Sequence, residues 1–114
     1  MISSDVIRGH NDTIILAILM KNDSYGYQIS KEITQMSQNL YQIKETTLYS
    51  SFTRLEKKGY IISYYGSETN GKRRTYYKIT SQGIDYYQEK CEEWQMIKQI
   101  VDQFVKGSTD NGAD

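Results

Sequence analysis

Residues 45–61 read ETTLYSSFTRLEKKGYI, and their periodicity decides how the rest of the chain is arranged. Leu48, Phe52 and Leu55 recur at i, i+4 and i+7, which is one face of a helix. The opposite face carries Thr47, Ser50, Arg54 and Lys57, all hydrogen-bond donors, with Tyr49 at the edge. The spacing predicts a helix from about Thr46 to Lys58, with Thr46 as its cap and Gly59 as its terminator. A helix with an apolar back and a donor-rich front suits the major groove of duplex DNA, where base edges present acceptors and donors.

Immediately downstream the period changes from helical to alternating. Tyr60–Tyr65 (YIISYY) and Thr75–Ile79 (TYYKI) are rich in β-branched and aromatic residues. They read as the two arms of a hairpin, with Asn70-Gly71 as the turn signal and residues 66–74 as a polar tip. Lys72, Arg73 and Arg74 lie on the tip and its descending edge. Side chains alternate across a strand, so one of the two arginines points outward. The other is free to pair with Glu56 or Glu68.

Upstream, Ile14, Ile15, Ile18 and Leu19, with Leu16, Ala17 and Met20 between them, predict a helix from about Val6 to Met20 that is buried on most sides. Asp23 or Ser24 is suited to cap a second helix. Ile29, Ile33, Met36 and Leu40 form its stripe, and Gly26 in its first turn leaves room for a neighbouring backbone. Helix, helix, helix and basic hairpin is the winged helix-turn-helix order. The fold class expected is therefore mainly α with a small β-hairpin.

After Thr80 the helical period returns. Ile84, Tyr87, Cys91, Trp94, Ile97, Val101 and Phe104 recur every three or four residues to about Val105. Such a helix would be a rod of roughly 38 Å, against a radius of gyration near 13 Å for a domain of about 100 residues. Its stripe outlasts the body it grows from, so the surplus apolar surface calls for a second copy of the chain. The layout expected is a DNA-binding unit over residues 1–80, a dimerisation helix over 81–106 and a disordered tail over 107–114.

Charge supports the same reading. The net charge of the 114 residues is zero. Residues 44–78, however, hold eight basic against three acidic side chains, a local +5, while the flanks are acidic. A local basic face is the footprint of phosphate binding. The single cysteine excludes an intrachain disulfide, and neither it nor the lone His10 has a companion for a metal. No metal or cofactor is expected. No apolar run approaches the roughly 20 residues of a membrane span, no secretory signal is evident, and a cytoplasmic setting is expected. Catalysis by a nucleophile would need a base near a serine or cysteine, and the only histidine, His10, comes before the packed stretch of the first helix. The protein is thus expected not to be an enzyme. A winged-helix module used for protein contacts without DNA is the alternative that remains.

Four stretches carry a resemblance to a known family: DSYGYQISKEI (Asp23–Ile33), ETTLYSSFTRLEKKGYI (Glu45–Ile61), GKRRTYYKIT (Gly71–Thr80) and SQGIDYYQEKCEEW (Ser81–Trp94). Together they resemble the PadR family of transcriptional regulators, in its smaller subgroup with one long C-terminal helix. Many members have proline directly after TLY; this chain has Ser50 there and no proline anywhere, as in the subset that includes multidrug-sensing repressors. The resemblance implies a homodimer joined by the C-terminal helix, often braced by the N-terminal one, that represses efflux or stress-response genes from a pseudo-palindromic operator. It implies DNA contacts from Thr47, Tyr49, Ser50 and Arg54 on the recognition helix, a phosphate contact from Tyr25, and wing contacts from Lys72, Arg73 and Arg74.

The resemblance also gives Trp94 a second meaning. Multidrug sensors of the family have a tryptophan at the matching position in an inter-subunit pore. Two copies of Trp94 across a two-fold axis could hold a flat aromatic effector. Lys90 and Lys98 lie four residues before and after it, and Tyr87 one turn further back, on nearly the same face. Those lysines lead us to expect a neutral or anionic effector.

Overall fold

The computed structural model describes residues 2–69 and 72–105. Asn70 and Gly71, where the turn was expected, and the tail from Lys106 onward lie outside the described residues. The elements are helices α1 (Ser4–Ile7), α2 (Asn11–Lys21), α3 (Gly26–Met36), α4 (Glu45–Lys57) and α5 (Ser81–Asp102), and strands β1 (Ser24–Tyr25), β2 (Ile61–Thr69) and β3 (Lys72–Ile79).

The core forms where the apolar stripes of α2, α3 and α4 meet the base of the hairpin. Ile15, Leu16, Ile29, Leu48, Phe52, Leu55 and Ile61 are all but inaccessible to solvent. Each such side chain contributes about 1.5–3 kcal/mol through removal from water. Phe52 stacks on Tyr77 at 4.0 Å between ring centroids, which ties α4 to β3. The α4 stripe thus falls where its period placed it. Ser51, fully buried beside it, was not anticipated.

The N-terminal helix is not continuous. The stretch expected as one helix from Val6 is α1, a 3₁₀ turn over Arg8–His10, and then α2. Ser3 Oγ accepts from the Val6 amide and caps α1. Neither Asp23 nor Ser24 caps α3. Ser24 and Tyr25 instead form β1, pairing antiparallel with Tyr77 and Tyr76, so the hairpin becomes a three-stranded sheet in the order β1-β3-β2. Edge pairing engages the backbone groups of Ser24 and Tyr25 in the sheet.

The α3 stripe is also shorter than its spacing suggested. Ile29 and Ile33 are buried, while Met36 and Leu40 are exposed. Gln38 and Asn39 adopt left-handed backbone angles, with φ of 56° and 67°, which turn the chain before a further helical turn can form. Tyr41 and Ile43 are buried in place of Met36 and Leu40. The Tyr41 hydroxyl donates to Asn11 Oδ1 at 2.6 Å, and burial pushes its phenol above the ordinary range, partly opposed by that bond.

The hairpin is longer than its apolar arms. Pairing runs from Ile61 opposite Ile79 to Thr69 opposite Lys72, with one extra residue in β2 between Tyr65 and Glu68. That bulge twists the distal part of the wing relative to its base.

A compact joint fixes where α5 leaves the body. Gly59, at φ 80°, ends α4, with its amide donating to Glu56 O and that of Tyr60 to Leu55 O. Thr80 Oγ1 donates to Gly59 O at 2.7 Å and accepts from the Gly83 amide at 3.0 Å, capping α5. Gly83 is required at this joint because a Cβ would run into the Tyr60 carbonyl. Tyr60 and Tyr86 stack at 4.2 Å across it. The direction of α5 is thereby coupled to the end of α4 and the start of the wing.

Candidate nucleic-acid interface

The outward face of α4 presents Ser50, Arg54 and Lys57 to solvent, with Thr47 half-buried beside them. Tyr49 is pinned at the edge. Its ring meets Phe52 edge-on at 5.2 Å, and its hydroxyl occupies the space a Cβ of Gly26 would fill. The room provided by Gly26 is therefore used by a phenol rather than by a backbone.

Arg54 is not a free cation. Its Nε donates to Asp12 Oδ2 at 2.9 Å and its Nη2 to Asp12 Oδ1 at 2.7 Å. Nη2 also donates to Ser51 Oγ at 3.1 Å. The Asp12 hydrogen bonds raise the already high guanidinium pKa further. Together Arg8, Asn11, Thr46, Thr47, Ser50 and Arg54 line a polar cleft of about 230 Å³ between the start of α2 and the outward face of α4. Arg8, Asn11 and Asp12 were missed in the sequence, where nothing local links them to α4.

The wing cations lie on tyrosine rings. Arg73 is exposed and sits 4.8 Å above the Tyr65 ring. Arg74 is half-buried, 4.4 Å above the Tyr25 ring. Tyr25 in turn meets Tyr76 edge-on at 5.3 Å, and Tyr76 stacks on Tyr64. The Tyr64 hydroxyl donates to Asp23, which pushes that phenol above the ordinary range. Neither arginine pairs with Glu56, which accepts from Ser63 Oγ at 2.8 Å instead. Among the described side chains, each guanidinium lies over a tyrosine ring. Lys72 opens β3; its side chain and that of Glu68 lie outside the described residues.

A second site lies on the other side of α2. Residues of α1, the 3₁₀ turn and the start of α2 form one wall of a groove of about 790 Å³, and α5 forms the other. Tyr87, Lys90, Trp94 and Lys98 all line it, together with Cys91, Ile97 and Val101. Ile84 is half-buried and outside the groove, and Phe104 lies past the end of α5, 80% exposed. The His10 ring meets Trp94 edge-on at 5.1 Å, a contact not anticipated for a histidine so distant in sequence. Lys90 Nζ donates to Glu93 Oε1 at 2.9 Å, which holds the ammonium above its ordinary pKa. Tyr87 is raised by its hydrogen bond with Cys91. Lys98, 5.9 Å from the Trp94 ring, is the lining cation that bears directly on the aromatic face. With Glu93 and Asp102 also lining the groove, its charge is balanced rather than cationic.

A helical trio, a donor-faced third helix and a cationic hairpin define a winged helix-turn-helix protein. The model of the PadR-like family of transcriptional regulators matches residues 15–89, and this chain belongs to that family, whose members are regulators and not enzymes. A transcriptional regulator from Clostridium thermocellum is 63% identical, with a TM-score of 0.86 over 93% of this chain and 100% of that one. A PadR family transcription regulator from Clostridium difficile is 38% identical, with a TM-score of 0.73 over 83% and 97% of the two chains. The fold extends to Bacillus subtilis PadR in complex with operator DNA, at 19% identity and a TM-score of 0.62, over 68% of this chain and 44% of that one. No described helix is long and apolar enough to cross a membrane.

Proposed function

We propose that this regulator acts in the cytoplasm as a homodimer, binds a pseudo-palindromic operator, and represses efflux or stress-response genes until a flat aromatic ligand enters the groove beside Trp94. The observation that carries the DNA reading is the placement of the donor-rich face of α4 and the cationic β3 in one winged unit. In that reading residues 1–80 engage DNA. Thr47, Tyr49 and Ser50 meet the major groove. Arg54, Lys57, Tyr25 and the wing residues Lys72, Arg73 and Arg74 serve the phosphates and the adjacent minor groove.

The dimer reading rests on α5. Trp94, Ile97, Ile100 and Val101 are 37–48% exposed in the single chain, more apolar surface than a solvated helix face carries. Joined along α5, over residues 81–106, two copies would close their grooves toward each other. His10 gives the ligand a route to DNA affinity. A molecule that displaces its ring from Trp94 also disturbs the 3₁₀ turn leading into α2, and α2 holds Arg54 through Asp12. A ligand shifts the operator affinity by its differential affinity for the two dimer states.

Lys98 already occupies the Trp94 face, so a cationic ligand would have to displace it and desolvate a second cation alongside. Neutral and anionic flat aromatics are therefore expected to quench Trp94 fluorescence and to release bound promoter DNA, and Trp94→Ala to abolish both effects. Quenching by cationic dyes alone would contradict the charge argument. If no compound in a panel of the three charge types causes quenching, Trp94 has a packing role only.

A further inference from the structure

The ion pair between α2 and α4 bears on which side chains can read sequence. A guanidinium reads guanine through its end, with Nη1 and Nη2 donating side by side to O6 and N7. In Arg54 that end is not available as a fork. Asp12 grips the side edge, Nε and Nη2, and the second Nη2 hydrogen goes to the buried Ser51 hydroxyl. Among the described residues no hydrogen bond uses Nη1. Arg54 therefore faces outward with one nitrogen, on a side chain that is 46% exposed, held by a carboxylate that is only 18% exposed.

We infer that Asp12 is a specificity-determining positioning residue: by holding Arg54 side-on it restricts Arg54 to a single-nitrogen phosphate contact and leaves base reading on α4 to Thr47 and Ser50. This rests on the DNA-binding reading above. Three features favour it. The grip is bidentate and partly buried, so bringing the fork to a base would strand a carboxylate against α4. Ser51 depends on the same nitrogen for a partner, so releasing Arg54 also leaves a buried hydroxyl without it. Thr47 and Ser50 border the same cleft as Arg54, and their hydroxyls both donate and accept, so they can meet either kind of base edge.

The test is selection from a randomised duplex pool by the full-length wild type and by Asp12→Asn, Asp12→Glu and Arg54→Lys, with bound sequences read out and thermal melts recorded alongside. Asp12→Asn keeps the shape but loses the charge and should release the fork. It should select a new guanine in each half-site, preferred roughly tenfold, the equivalent of about 1.4 kcal/mol. It should also bind unselected DNA several-fold more tightly. Asp12→Glu, which keeps a carboxylate, should select the wild-type motif. Arg54→Lys cannot form a fork and should also select the wild-type motif, because the fork is unused. Loss of a guanine from the motif in Arg54→Lys would overturn the inference, since Arg54 would then be reading a base in the wild type. A lower melting temperature for Asp12→Asn with an unchanged motif would overturn it too, leaving Asp12 as a structural strut. A wild type that enriches no sequence would instead overturn the DNA-binding reading on which the inference rests.

Discussion

Raising the salt from about 50 to 200 mM is expected to lower the affinity of the protein for DNA by on the order of a thousandfold. Binding releases counterions from the duplex, and the logarithm of affinity falls with a slope near 0.9 per neutralised phosphate. Each chain offers Arg54 and Lys57 on α4 and Lys72, Arg73 and Arg74 on β3. A dimer using about three of the five per subunit gives the expected loss. Arg73 is the most informative single position on the wing. It is exposed, and its stacking on Tyr65 holds it without neutralising it. Arg73→Ala should weaken binding to all sequences alike and flatten the salt slope, and Lys72→Ala should do the same. Ser50→Ala should instead change which sequences are preferred. Titrations at four or five salt concentrations would distinguish these outcomes, and wing variants that bind like wild type throughout would remove the wing from the interface.

The second large effect is expected from α5. In light scattering at micromolar concentration the protein should run at twice the 13.3 kDa of the chain. Ile97→Glu combined with Val101→Glu should return it to the monomer mass. Both side chains are exposed in the single chain and lie on α5, so the substitutions leave the winged unit folded while they disrupt the seam and the groove wall that the two residues also line. Placing carboxylates in an apolar interface costs several kcal/mol per pair of chains. The monomer would then bind a single half-site, and affinity for a two-half-site operator should fall a hundredfold or more, because the second contact is no longer intramolecular. A wild-type mass of 13.3 kDa under those conditions would refute the dimer.

The parts of this fold that could be read directly were those set by local periodicity. The buried face of α4, the hairpin arms and the long run of α5 from Ser81 follow from spacing alone, since one side of each element must leave water, although α5 ends at Asp102 rather than near Val105. The parts that could not be read depend on partners remote in the chain. Ser24 looked like a helix cap because a serine ahead of a helix suits a cap and a strand end equally well. Its fate was decided by the open edge of β3, where it pairs with Tyr77, far away in sequence. The α3 stripe extrapolated past Met36 because Gln38 carries no obvious breaker signal, although Asn39 tolerates a left-handed backbone and was a usable cue. In the candidate sites, Trp94, Tyr87, Lys90 and Lys98 share a groove as helical spacing required. The opposite wall and His10 were invisible until the N-terminal segment was folded against α5. Arg54 was recognised as outward-facing, but its engagement with Asp12 was not, because an acidic residue 42 positions upstream leaves no local signature. Of the two carboxylates expected to pair with Arg73 or Arg74, Glu56 is taken by Ser63, and the tyrosines supply ring faces for both arginines.

The central claim, that this protein recognises a DNA sequence, is tested most directly by competition. A labelled duplex from the region upstream of its own gene would be bound at physiological salt and challenged with the same unlabelled duplex or with a shuffled one of equal length and composition. A sequence-specific operator binder should prefer the native duplex by at least about a thousandfold. Equal competition by the two duplexes, or no binding to either, would contradict the claim and favour a winged-helix module that serves protein contacts instead.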